Sequence, residues 1–104
     1  MKNLNPRQAK KYISENQPTL LDVREEWEFN ICHIDGSILI PMRDIADNLH
    51  KLNTSEEILV ICHHGVRSRV IAGFLESRGF KKTINLEGGL DAWADLVEPE
   101  MEKY

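Results

Sequence analysis

The stretch EILVIC, residues 57–62, constrains the fold more than any other part of the chain. A strand formed from it is apolar on both faces, so both faces must be covered. A strand of an antiparallel sheet with one wet face would alternate apolar and polar residues instead. An unbroken apolar run therefore belongs in the middle of a parallel sheet with helices above and below it.

The rest of the pattern agrees with that placement. Short apolar runs at TLLDV (19–23), SILIP (37–41) and TINLEGG (83–89) predict further strands, the last ending in a glycine turn. Helical patterns lie between them. NPRQAKKYISENQP opens the chain, with Asn5 able to cap, Pro6 suited to the first helical position and Pro18 blocking continuation. REEWEFNIC sets Trp27 and Ile31 on one face, and DIADNLHKL (44–52) spaces Ile45, Leu49 and Leu52 as a helix would. From Ser68 to Arg78, Val70, Ile71, Phe74 and Leu75 form an apolar side, with Gly79 as the C-cap and Phe80 folding back. LDAWADLV closes the pattern with Leu90, Trp93 and Leu96 inward, and Trp27 and Trp93 are expected in the core. Connections of a dozen or more residues require parallel pairing through right-handed crossovers. The fold class is therefore α/β, with helices on both faces of the sheet.

A chain of 104 residues, 41% of them hydrophobic, can bury one core. Its net charge of −4 and its lack of a basic run or basic helix face argue against a nucleic-acid partner. No apolar run is long enough to span a bilayer, and MKNLNPRQAKKY lacks the apolar core of a signal peptide, so a cytoplasmic location without a membrane partner is expected. The two cysteines, Cys32 and Cys62, form no C-x-x-C pair, which leaves no zinc knuckle or dithiol motif and predicts reduced thiols. Residues 1–97 are expected to form the domain and residues 98–104 a solvated acidic tail.

Ligands of such sheets collect at the carboxyl ends of the strands, where EILVIC delivers Cys62. The residues that follow, HHGVRS, are suited to negative charge. Gly65 permits backbone angles closed to other residues. A loop curling there aims successive N–H groups inward, and the next helix adds its free amides and positive dipole end. Such surroundings favour a thiolate over a thiol. Arg67 and Arg69 stand where a helix begins, an end that disfavours cations by about 0.3–1 kcal/mol. A bound anion, or the thiolate itself, reverses that sign, and Arg67 can grip an oxyanion with both arms of its fork. A free cysteine is ordinarily a buried hydrophobe. The joint presence of strand end, glycine, arginine and helix start favours function instead.

CHHGVRS (62–68) resembles the active-site loop of rhodanese-like sulfurtransferases. LLDVREEWEF (20–29), HIDGSILIP (33–41) and LEGGLDAW (86–93) are similar to three further motifs of that family, in the same order. The resemblance runs over roughly residues 4–96 and implies a single three-layer rhodanese-like domain with a five-stranded, mostly parallel sheet. It implies that Cys62 attacks the outer sulfur of a small anionic donor such as thiosulfate and becomes a persulfide. Cyanide, a thiol or a partner protein's cysteine then accepts the sulfur. His63, His64, Gly65, Val66, Arg67 and Ser68 would line the substrate site, and Asp22 and Arg24 would support the loop as an ion pair. No cofactor or metal is implied; adjacent histidines chelate one ion poorly, and no spaced ligand set joins them. Four residues separate Cys62 from Arg67, whereas related phosphatases and arsenate reductases have five, and the shorter ring suits one sulfur atom better than a tetrahedral oxyanion. A persulfide carrier serving a partner protein is the nearest alternative activity, ahead of a silent interaction domain. Cys32 stands where the family usually has glycine and reads as an inert packed thiol or a resolving one. His33, Gly88 and Gly89 read as turn residues.

Overall fold

Alternation along the central run sets the layers. The computed structural model describes residues 1–104. Its strands are β1 (Lys2–Leu4), β2 (Thr19–Asp22), β3 (Ile38–Leu39), β4 (Ile58–Ile61) and β5 (Thr83–Leu86). Its helices are α1 (Pro6–Asn16), α2 (Glu26–Ile31), α3 (Val66–Ser77) and α4 (Gly89–Leu96). The strands lie in the order β1-β5-β4-β2-β3, and every pair is parallel. Successive β4 residues point to opposite faces. Leu59 and Ile61 join Ala9 of α1 and Leu90, Trp93 and Ala94 of α4 in one core cluster. Ile58, Val60 and Cys62 join Ile71, Ala72 and Leu75 of α3 in the other. Parity along the strand thus sends the Cys62 side chain to the side of the sheet that α3 covers.

Local signals act as expected at the helix ends. The Asn5 side chain accepts from the Gln8 amide at 2.9 Å while the Gln8 side chain accepts from the Asn5 amide at 3.0 Å, a closed capping box with Pro6 at the first helical position. At the end of α3 the amide of Gly79 bonds to the carbonyl of Glu76 and that of Phe80 to the carbonyl of Leu75, with Gly79 at φ +93°. This Schellman arrangement buries Phe80.

Several expectations are corrected. The strand β1 lies in the polar start of the chain, where three residues show no alternation; it exists through its pairing with β5. Residues 44–52 carry helical spacing, yet they form two 3-10 segments, Met42–Asp44 and Ala46–Lys51, with Asn48 outside helical angles. The Asn48 side chain donates to the Asp44 carbonyl at 2.7 Å, the local bonding by which asparagine competes with a helix. Ile45 is nonetheless buried, and Leu49 and Leu52 pack against the same cluster. Helix α3 begins at Val66, two residues before the apolar pattern, because Gly65 takes left-handed angles (φ +88°) and turns the chain at once. Val70 and Leu96 are exposed rather than inward. Trp27 is 58% exposed, because the short helix α2 turns Glu28 inward in its place.

The run 98–104, expected as a solvated tail, is mostly exposed but anchored at several points. The amides of Val97 and Glu98 both bond to the Trp93 carbonyl, reversing the chain, and the Trp93 indole donates to Glu98 at 3.2 Å. Met101 is buried in the α1/α4-side cluster. Lys103 pairs with Asp91 at 3.2 Å and with Asp95 at 2.7 Å. Apart from its acidic residues, this run contains an apolar anchor, a cation and an aromatic ring, and each finds a partner.

Candidate active site

Cys62 is 1% exposed, and its sulfur sits inside the loop that follows β4. The amide of Gly65 donates to it at 3.0 Å and that of Ser68 at 3.3 Å. Ser68 lies in the first turn of α3, where an amide has no partner within the helix, so its N–H is free to serve the sulfur. The loop's carbonyls face the other way. The carbonyl of Cys62 accepts from the Leu90 amide at 2.9 Å and that of His63 from the Asp91 amide at 3.0 Å. The first turn of α4 therefore holds the carbonyls outward, which leaves the amides to face the sulfur. This close approach explains the glycine pair. A Cβ on Gly89, at φ +63°, would fall on the His63 carbonyl group and 2.5 Å from the Cys62 carbonyl oxygen. A Cβ on Gly65 would come within 3.0 Å of the Gly88 nitrogen.

A polar chain runs inward from the sulfur. The Cys62 thiol donates to Ser68 Oγ at 3.2 Å, and Ser68 Oγ donates to Asn85 Oδ1. Asn85 Nδ2 donates to Asn3 Oδ1 at 3.1 Å. Asn85 is a fully buried amide between Ile84 and Leu86 of β5, so its polarity within TINL was the available signal.

Arg67 meets an anion within the protein. Its two Nη atoms donate to the two Glu28 oxygens at 2.8 and 2.9 Å. Hydrogen bonding to Arg67 holds the Glu28 carboxyl down to about 2 against the opposing effect of burial, with further bonds from the Glu25 amide and the Tyr104 hydroxyl. The same pairing raises the pKa of Arg67 above its ordinary value. Asp22 and Arg24 form a fully buried ion pair, with Arg24 Nη2 at 2.8 Å and Nε at 2.9 Å from the carboxylate. The rest of the Arg24 fork donates to the carbonyls of Cys32 (2.6 Å) and Glu28 (3.3 Å) and to Tyr104 Oη (2.9 Å). Burial disfavours the charge on Arg24, yet Asp22 and Tyr104 together raise its pKa overall. Arg24 thereby ties the sheet edge to α2 and to the final residue of the chain.

The remaining loop residues diverge. His63 is half-buried, its ring lies 4.2 Å from that of Tyr104, and its Nδ1 is buried without a partner. Burial and the neighbouring His64 lower its pKa below the usual histidine value. A small, partly open pocket beside it is lined by Cys32, Asp91 and Tyr104 among others. His64 and Val66 are exposed, as is Arg69. Cys32 packs against the α1/α4-side cluster whereas Cys62 belongs to the α3-side cluster, so the sheet layer separates their environments. His33 Nδ1 lies 2.8 Å from the Phe29 carbonyl oxygen, and its ring stacks on Phe29. The sequence reading missed Glu28, Asn85 and Tyr104. Glu28 lies within LLDVREEWEF (20–29), but nothing in the spacing relates Tyr104 to the loop.

Comparison with known proteins finds relatives in both sequence and fold. The family profile described as Rhodanese-like domain matches residues 5–96. The chain is 38% identical over 88 residues to a Bacillus subtilis protein named "Putative sulfur carrier protein YrkF", covering 85% of this chain and 48% of that protein, so it spans about half of that relative's length. It is 32% identical over 92 residues to the thiosulfate sulfurtransferase GlpE of Pseudomonas savastanoi, covering 88% of this chain and 86% of that one. The crystal structure of a rhodanese-like domain protein from Staphylococcus aureus superimposes with a TM-score of 0.84 at 36% identity, covering 93% of this chain and 95% of that one.

Proposed function

The chain belongs to the rhodanese-like domain family, and from that premise we propose that it moves sulfane sulfur through a persulfide on Cys62. The observation that carries the reading is the convergence of the Gly65 and Ser68 amides on the Cys62 sulfur. Dipoles aimed at a buried atom stabilise negative charge there without reorganising during the reaction. With thiosulfate, the Cys62 thiolate attacks the outer sulfur, the donor's S–S bond breaks, and its electron pair leaves with sulfite. The product is Cys62–S–S⁻, on which the same two amides hold the charge. An acceptor nucleophile, such as cyanide, a small thiol or a partner's cysteine, then attacks the outer sulfur and regenerates the Cys62 thiolate. Ser68 accepts from the thiol and, after ionisation, turns its hydroxyl proton from Asn85 to the sulfur. No helix of the protein is long and apolar enough to cross a membrane.

One observation favours a second reading, the carrier that receives sulfur from a partner and passes it on. The forked edge of Arg67, which would grip the sulfonate of thiosulfate, is already spent on Glu28. Intact mass spectrometry after incubation with thiosulfate, and separately with cysteine persulfide, tests both readings. Sulfur transfer predicts a gain of one sulfur atom that is absent in Cys62→Ser. Loading by both donors with turnover in a thiosulfate–cyanide assay supports the enzyme. Loading by the persulfide with negligible turnover on thiosulfate supports the carrier. No adduct from either donor, or Cys62-dependent hydrolysis of an aryl phosphate, overturns the proposal.

A further inference from the structure

We propose that Glu28 determines donor specificity: it acts as a built-in competitor for Arg67 that disfavours doubly charged oxyanion donors and favours sulfur carried on a thiol. The inference rests on the sulfur-transfer reading above and specifies which donors that site takes. The Glu28 side chain is 5% exposed and receives four hydrogen bonds on its two oxygens: two from Arg67, one from the Glu25 amide at 2.9 Å and one from Tyr104 Oη at 2.7 Å. Tyr104 is held in register by Arg24. A guanidinium only donates, so the Arg24–Tyr104 contact at 2.9 Å fixes the hydroxyl as acceptor from Arg24 and leaves its proton for Glu28. The Tyr104 ring rests against His63 and meets Trp27 edge-on at 5.6 Å. The carboxylate is therefore fixed on three sides and cannot swing away cheaply to make room for a sulfonate.

The charges near the sulfur then sum unfavourably for thiosulfate. Arg67 is cancelled by Glu28, Arg24 by Asp22, and His63 is held toward its neutral form by burial and His64. The thiolate is balanced by neutral donors, the Gly65 and Ser68 amides and the Ser68 hydroxyl, rather than by a free cation of these pairs. A thiosulfate dianion adds two charges and must expel sulfite with both. A thiol-borne persulfide brings at most one charge on its reacting group. The Cys62 thiolate attacks its outer sulfur, the S–S bond breaks, the donor thiolate leaves, and the outer sulfur with its proton stays on Cys62. One uncompensated charge at a partly exposed distance corresponds to a factor of about ten.

The test measures the rate at which Cys62 gains sulfur from thiosulfate and from cysteine persulfide, by rapid quench and intact mass, in the wild type, Glu28→Gln and Tyr104→Phe. The thiosulfate-to-persulfide rate ratio is expected to rise about tenfold in Glu28→Gln. In Tyr104→Phe, which removes one exposed-side brace and leaves the packing in place, it rises about threefold. Sulfate, titrated by calorimetry, binds more tightly by similar factors. A purely structural Glu28 would change both donors equally; an unchanged ratio in both variants, or unchanged sulfate affinity, overturns the inference. If Cys62 takes sulfur from neither donor, the transfer reading fails, while sulfate affinity still judges Glu28 on its own.

Discussion

Lowering the pH should dismantle the Glu28–Arg67 contact by a calculable amount. Glu28 falls from an ordinary 4.5 to about 2 in the folded protein, chiefly through its hydrogen bonds to Arg67. At ~1.36 kcal/mol for each tenfold step, that difference corresponds to about 3 kcal/mol of folding stability. Because the folded state holds the proton less tightly than the unfolded one, the contribution is fully present above about pH 4.5 and is lost as the pH falls toward about 2. By about pH 3 roughly 2 kcal/mol of it has gone. Other carboxylates titrate in the same range, so the informative quantity is the difference between wild type and Glu28→Gln, which cancels them. Urea unfolding followed by far-ultraviolet circular dichroism, at constant ionic strength and pH values between 6 and 3, gives that difference. It is expected to shrink by about 2 kcal/mol across the range. Parallel stability curves, with a difference constant to within about 0.5 kcal/mol, would refute the reasoning, because they would mean that Glu28 titrates alike in both states.

Two other substitutions probe the scaffold. Arg24→Ala leaves Asp22 as a fully buried, unpaired carboxylate and also releases the Cys32 and Glu28 carbonyls; a loss of about 3–5 kcal/mol is expected in urea unfolding, and a loss under about 1 kcal/mol would mean the pair is not buried as described. Gly89→Ala, whose Cβ meets only backbone of His63 and Cys62, should cost at least about 2 kcal/mol, whereas Gly36→Ala, with a similar positive φ but open space around it, should cost only about 1 kcal/mol; equal costs would show that the close approach of α4 to the cysteine loop is not tight.

Much of this architecture was legible in short stretches of chain. The unbroken apolar run ending at Cys62 specified a covered central strand with the sulfur at its carboxyl end; that this sulfur lies on the side of α3 is set by the packing. Gly65 announced a turn, and Arg67 announced an anion nearby. The identity of that anion was not legible. Charge placement within one segment implies that a partner exists, but not which of 17 acidic residues supplies it. Trp27 was misassigned for a related reason: in a helix of six residues, burying one face is a choice between Trp27 and Glu28, and Arg67, 39 residues further on, decides it.

By itself the sequence determined the α/β class, the caps and the glycine turn after Cys62, because each follows from patterns or interactions between residues close along the chain, whereas the first turn of α4 completes the sulfur-holding loop. The tertiary structure alone decided that Met101 anchors the otherwise exposed C-terminal run to the core and that Glu28, Arg24 and Tyr104 meet around that loop. Those contacts join residues up to 80 positions apart. They are hydrogen bonds between single polar groups, which leave no periodicity behind; their partners are chosen by where the folded backbone places each donor and acceptor, and by the cost of burying either one alone.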